Sequence, residues 1–186
     1  MEGAVVIGVS AGGITALKTI LPKLPRKFCL PIIVVFHRPP ESDDFLERFL
    51  DSECAVTVKR AHPGEKITPG TVYIAPPNFH LLIEENFTFS FSQAPPVNHA
   101  RPSIDVLFDS AADVYGHLLT GIILTGANND GSRGLKKIKD TGGLTAAQDP
   151  DTAEIPQMPR AAITAANPPH ILPLIKIPEF LTNLCH

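Results

Sequence analysis

Three residues with complementary chemistry stand at comparable places in the chain: Ser10, His37 and Asp130. Gly8-Val9-Ser10-Ala11-Gly12 matches G-x-S-x-G, the pattern of a sharp strand-to-helix turn that exposes a serine oxygen. A serine hydroxyl is a weak nucleophile at neutral pH and needs a base. His37 directly follows an apolar run and is the best placed of the seven histidines. A base of this kind needs a carboxylate to fix its tautomer and stabilise the imidazolium, a role that suits Asp130. Together the three predict a serine hydrolase. The N–H groups at the start of a helix near Gly13 would point toward Ser10, which makes Ala11, with Gly12 beside it, a candidate oxyanion donor.

Each residue also has a plainer reading. Gly8, Gly12 and Gly13 could form a phosphate or dinucleotide turn with Ser10 as a cap. The spacing, however, is not G-x-G-x-x-G, no P-loop lysine follows, and His37 stands where a ribose-holding acid would be. An isolated loop histidine is commonly just solvated, and Asn129-Asp130-Gly131 alone is a plain turn. His80, after Ala75-Pro76-Pro77-Asn78-Phe79, is the alternative base or a wall of the substrate groove. Asp105 and Asp109 read as the first turn and polar face of a helix. His62, His99, His117, His170 and His186 have no comparable strand-end placement. Arg38 reads as a non-core residue, which puts His37 at the surface of a cleft.

The elements that must position these residues follow from periodicity. Val5-Val6-Ile7 and Ile32-Ile33-Val34-Val35-Phe36 are continuous apolar runs, as expected of parallel strands buried on both faces. Ile14, Leu17, Leu21 and Leu24 recur at helical spacing before Pro25, and Phe45, Phe49 and Leu50 repeat the signal. Val72-Tyr73-Ile74-Ala75 reads as a short strand. Leu81-Leu82-Ile83 and Phe87-Thr88-Phe89-Ser90-Phe91 read as an antiparallel hairpin at a sheet edge. Ser103 could cap a helix carrying Ile104, Leu107, Phe108, Ala111 and Ala112 and ended by Gly116. Gly121-Ile122-Ile123-Leu124-Thr125 is a third buried strand, followed by a polar loop over residues 126–131. Leu135 and Ile138 mark a short helix, and Leu144-Thr145-Ala146-Ala147 a further strand. The fold class is therefore α/β: a doubly wound, mostly parallel sheet with helices on both faces and an antiparallel hairpin at one edge. In such sheets ligands gather outside the carboxyl ends of the strands, where all three candidates fall.

A chain of 186 residues suits one domain, 1–186, with a sizeable core. A formal net charge of −3 and 6% aromatic residues lack the footprint of a nucleic-acid binder. No apolar run could cross a bilayer, which argues against membrane insertion, and the first residues lack the marks of a signal peptide. Cys29, Cys54 and Cys185 show no metal or redox spacing and read as reduced structural cysteines of a cytoplasmic protein.

In order along the chain, several segments resemble the catalytic domain of the chemotaxis protein-glutamate methylesterases. They are Ile7-Gly8-Val9-Ser10-Ala11-Gly12-Gly13, His37-Arg38-Pro39-Pro40, Tyr73-Ile74-Ala75-Pro76 with His80, and Pro95-Pro96-Val97-Asn98. Arg101-Pro102-Ser103-Ile104-Asp105, Ile123-Leu124-Thr125-Gly126, Asn129-Asp130-Gly131 and Met158-Pro159 follow. The resemblance spans nearly the whole chain. It implies a triad of Ser10, His37 and Asp130, acting on glutamate γ-methyl esters of chemoreceptor cytoplasmic helices, with glutamine deamidation in some members. It implies no metal or organic cofactor. As a departure from the family, the receiver domain that normally precedes and inhibits the catalytic domain is not in this sequence, so the chain is either a stand-alone member or a trimmed piece of a longer protein. Ala127 and Asn128 replace the family's usual Met-Gly, which implies an altered wall beside Asp130. That departure motivates the alternative of a weakly catalytic or inactive binding module for receptor or signalling partners. His80, Arg101 and Ala127 are the expected substrate-groove residues, and Arg101, Arg133 and Arg160 could give that groove a positive rim.

Overall fold

The computed structural model describes residues 3–185, so His186 lies outside the described residues. Seven strands form one sheet in which every pairing is parallel. They are β1 (Ala4–Val9), β2 (Ile32–Phe36), β3 (Thr57–Arg60), β4 (Thr71–Ile74), β7 (Leu119–Ile123), β8 (Leu144–Gln148) and β9 (His170–Leu172), in the order β3-β4-β2-β1-β7-β8-β9. After β1 the chain builds outward through β2, and it later returns to the other side of β1 through β7. The switch point of the sheet therefore lies between β1 and β7, where a crevice opens at the strands' carboxyl ends.

Alternation along β1 shows why both faces must be covered. Ala4 and Val6 join one core, whereas Val5, Ile7 and Val9 join the other. The first core is closed by α3 (Ile104–Tyr115), α4 (Ser132–Asp140) and α5 (Gln157–Ala166), and the second by α1 (Gly13–Ile20), α2 (Phe45–Glu53) and α6 (Ile177–Asn183). This is the doubly wound arrangement that the sequence predicts. β5 (His80–Ile83) and β6 (Phe89–Ser92) pair antiparallel as a sheet of their own. Hydrogen bonds from Gly64, Ile67 and Phe89 tie them to the segment between β3 and β4, and Leu81, Ile83 and Phe89 complete the α3 side of the core.

Several local expectations change. Two helices present a rotated face: Ala16, Leu17 and Ile20 are buried in α1 while Ile14 is half exposed, and in α2 Leu46 and Leu50 are buried while Phe45 is out. Arg38 lines the cleft beside His37, as its non-core reading implies, yet its side chain is only 5% exposed. It forms a two-pronged ion pair with buried Glu47, Nη1 to Oε2 at 3.0 Å and Nη2 to Oε1 at 2.5 Å, and Arg60 adds a third bond at 3.1 Å. A carboxylate brought in by α2 makes burial of the guanidinium tolerable. Burial works to raise the Glu47 pKa, but bonds from Arg38 and Arg60 hold it below its ordinary value.

The cysteines require the largest correction. Cys29 and Cys185 are joined in a disulfide, and only Cys54 is free. Their separation of 156 residues hides the pairing, which exists because α6 docks beside the segment that enters β2. Burial pushes the Cys54 thiol up to about 11, far from a reactive thiolate. A cross-link of this span restrains the unfolded chain, so Cys185→Ser is expected to lower the unfolding free energy by about 2–5 kcal/mol. Urea melts with and without reductant check this: reductant should destabilise the parent chain and leave Cys185→Ser unmoved.

Candidate active site

Asp130 is the centre of the site. Its side chain is wholly buried and accepts six hydrogen bonds. Oδ2 accepts from His37 Nε2 at 2.9 Å and from the Ile104 N–H at 2.7 Å. Oδ1 accepts from Ser103 Oγ at 2.8 Å, Asn98 Nδ2 at 3.0 Å, the Asp105 N–H at 3.2 Å and the Gly131 N–H at 3.1 Å. Burial alone would raise the pKa of this carboxyl. The bonds from His37, Asn98, Ile104 and Ser103 instead hold it below its ordinary value, so it is ionised at neutral pH.

The geometry explains how the chain places it. Ile104 and Asp105 open α3, and their N–H groups lack partners within the helix. Ser103 occupies the N-cap position, yet its hydroxyl bonds to Asp130 rather than to its own helix. The cap is therefore supplied by a carboxylate from another loop, where the positive end of the helix dipole favours it. Gly131 makes the approach possible. With φ 89° it is in the left-handed region, and a Cβ there would lie 2.5 Å from Ile104 Cγ2.

An ionised carboxylate can only accept, so the proton of the His37–Asp130 bond is on Nε2. That fixes the tautomer and leaves the Nδ1 lone pair as the basic nitrogen. Ser10 and His37 line one cleft of about 610 Å³, together with Asn78, Asn98, Arg101 and Asn128. Ser10 is held by the loop after β7 and the start of α1: its N–H bonds the Thr125 carbonyl, and its carbonyl accepts the Gly13 N–H. Thr125 Oγ1, itself buried, donates to the Ala11 carbonyl at 2.8 Å and accepts from the Ile155 N–H at 2.9 Å. Gly12, at φ 78°, turns the chain into α1. Among the described residues the N–H groups of Ala11 and Gly12 have no acceptor.

The other expected groove residues separate. Arg101 lines the cleft. His80 is buried and does not: its Nδ1 accepts the Ser103 N–H at 3.2 Å, so its Nε2 donates to the Pro95 carbonyl at 3.1 Å. It braces the cleft wall from behind. Ala127 is exposed next to the lining, and Gly12 lines a neighbouring cavity of about 270 Å³ with Thr15, Gln148 and Glu154. Sequence reasoning missed Asn98, Ser103 and Asp105 as partners of Asp130. Asp105 is not a solvated helix residue but buried, accepting from Asn98 Nδ2 at 2.9 Å and the Gly134 N–H at 2.7 Å. Burial, and next among the raising influences the charge on Asp130, push its pKa up. No local signal marks these three, but their motifs, Pro95-Pro96-Val97-Asn98 and Arg101-Pro102-Ser103-Ile104-Asp105, flank one turn. His99 also lines the cleft, although it ends no strand. Among the described residues no group of three His, Cys, Asp or Glu side chains is placed to hold a metal ion.

The profile of the family described as CheB methylesterase matches residues 5–181. The chain belongs to the CheB methylesterase family. A Leptospira interrogans relative, provisionally named protein-glutamate methylesterase/protein-glutamine glutaminase, is 55% identical over 181 residues, covering 97% of this chain and 94% of its own. A Thermotoga maritima protein-glutamate methylesterase/protein-glutamine glutaminase is 40% identical, covering 97% of this chain and 53% of its own length. The crystal structure of the Thermotoga maritima CheB methylesterase catalytic domain superposes with a TM-score of 0.96 at 40% identity, covering 99% of both chains. Family and fold thus agree with the resemblance read from the motifs. Among the described residues no helix is long and apolar enough to cross a membrane.

The carboxylate also sets an acid limit on stability. Its folded pKa lies below the ordinary 3.8, so the stability it contributes is complete above that value and is lost as pH falls through the folded pKa. Urea unfolding from neutral pH down to about pH 2 should show this loss, with a shallower acid slope for Asp130→Asn. Ser103→Ala removes one buried bond to the charge and should cost about 1.5–3 kcal/mol at neutral pH. An acid slope unchanged by Asp130→Asn would contradict the assignment.

Proposed function

We propose that this chain is a serine hydrolase that cleaves glutamate γ-methyl esters on the cytoplasmic helices of chemoreceptors, and that it deamidates glutamine at the same centre. The 2.9 Å bond between His37 Nε2 and an ionised, buried Asp130, with Ser10 and His37 in one cleft, is the observation that carries this reading. Ser10 Oγ attacks the ester carbonyl while its proton passes to His37 Nδ1. The tetrahedral oxyanion draws on the free N–H groups beside Ser10, those of Ala11 and Gly12. Collapse expels the methoxy group, which takes the proton from His37 and leaves as methanol. Water then attacks the acyl-enzyme, giving its proton to His37, and Ser10 departs as the free hydroxyl with glutamate as product. Asp130 stabilises the imidazolium in both halves without itself taking the proton. The relatives' names support the substrate class, and the second of their two activities supports the deamidation.

The competing reading is an inactive binding module of the same fold, suggested by Ala127 and Asn128. The intact bond between His37 and Asp130 supports the enzyme over the module, since a binding surface has no need of a fixed histidine tautomer. Methanol release from methylated receptor is the direct assay. Ser10→Ala and His37→Ala should each lower kcat by at least about a thousandfold, and a serine-directed phosphonate should label Ser10 only when His37 is present. Unchanged release from Ser10→Ala would remove Ser10 as the nucleophile.

A further inference from the structure

The cleft has a sign of its own. The whole chain carries −3 with its histidines neutral, yet the charged residues of the cleft lining are Arg38 and Arg101, with no Asp or Glu. Arg38 is neutralised from behind by Glu47. Arg101 is not neutralised. Its Nε and Nη2 donate to Asn78 Oδ1 at 3.2 and 2.6 Å, and its Nη1 donates to the carbonyls of Gln93 and Ala94 at 3.0 and 3.2 Å. All three acceptors are uncharged. Among the described residues Arg101 takes part in no ion pair.

Four of the five guanidinium N–H groups are thus committed to holding the group still, and one on Nη2 remains. The cation is ordered before any ligand arrives, which removes most of the cost of immobilising a long side chain on binding. A guanidinium so fixed cannot offer both prongs of its fork to a new partner, so it would be read as a charge with one hydrogen bond. We propose that Arg101 is a carboxylate subsite: it receives a free Asp or Glu side chain that the peptide substrate carries close to the scissile ester. The proposal rests on the hydrolase reading of the cleft. On a helical substrate, residues three and four positions from the ester share its face, so an acid at that spacing is what the subsite selects.

Two helical peptides test it, each with one glutamate γ-methyl ester and either Glu or Ala, which the centre cannot deamidate, four residues to either side. Methanol release should give the Glu peptide a kcat/KM about tenfold higher at low salt. That preference should shrink toward unity as salt is raised to about 0.5 M, because the interaction is between charges in an open cleft. Arg101→Gln should bring the ratio close to one, and Arg101→Lys should keep part of it. The ratio is the readout, so a fall in absolute rate from a loosened 93–101 segment does not disturb it. Equal kcat/KM for both peptides in the parent chain, or an unchanged ratio in Arg101→Gln, overturns the proposal. Fluorescently labelled forms of the same peptides, bound to Ser10→Ala, separate the two readings. A binding preference for Glu without turnover by the parent chain would sink the hydrolase and keep the subsite, while equal Kd values would sink the subsite.

Discussion

A buried carboxylate on the first turn of a helix is the constraint around which this structure is organised. Removing the Asp130 charge from water carries a large cost unless its oxygens are fully bonded, and here they are. The donors come from the loop after β2, the 98–105 segment, the opening of α3 and the residue after Asp130 itself. No one of these could shift without leaving the charge short of a partner. The carboxylate therefore fixes where α3 begins, how the loop before α4 turns, and which nitrogen of His37 carries the proton. The orientation of His37 and the capping of α3 thus rest on one carboxylate.

Asp105 lies beside Asp130, and Asn98 donates from one nitrogen to both. Their pKa values move in opposite directions, Asp130 down and Asp105 up, although both are buried. What separates them is the number and kind of donors. Asp130 receives the His37 ring, a hydroxyl and three backbone N–H groups, whereas the Asp105 carboxylate has the Gly134 N–H, a share of Asn98 and a distant Arg133. The site thus directs its hydrogen-bonding capacity to the carboxylate that must stay charged.

The sheet was legible because continuous apolar runs and glycine-bounded turns are local signals. β1, β2, β7 and the elbow at Ser10 follow from them directly, and a parallel order puts His37 and Asp130 at the same edge. β3 and β9 gave no such signal, since Thr57–Arg60 and His170–Leu172 are short edge strands with only partial burial. Helix faces misled where an exposed apolar residue joined the pattern, as with Ile14 and Phe45. The errors that matter most are non-local. Nothing near Arg38 reveals that Glu47 will bury it, nothing near Cys29 reveals Cys185, and nothing near Ser103 says its hydroxyl will turn away from its own helix. Periodicity reports which surface a residue shares with its neighbours in sequence, not which partner arrives from elsewhere.

Ala127 and Asn128 stand where the resemblance implies Met-Gly. Asn128 Oδ1 accepts the Asp130 N–H at 3.1 Å, an Asx-type turn that anchors the residue carrying the buried charge. A glycine at 128 could not make that bond, so this replacement adds support for Asp130. Ala127 is exposed and presents a single methyl group beside the cleft, where a longer apolar chain would extend its wall. None of the six donors to Asp130 comes from either residue. The bonds that hold the Asp130 charge, and through it the His37 ring, therefore do not depend on which side chains stand at 127 and 128.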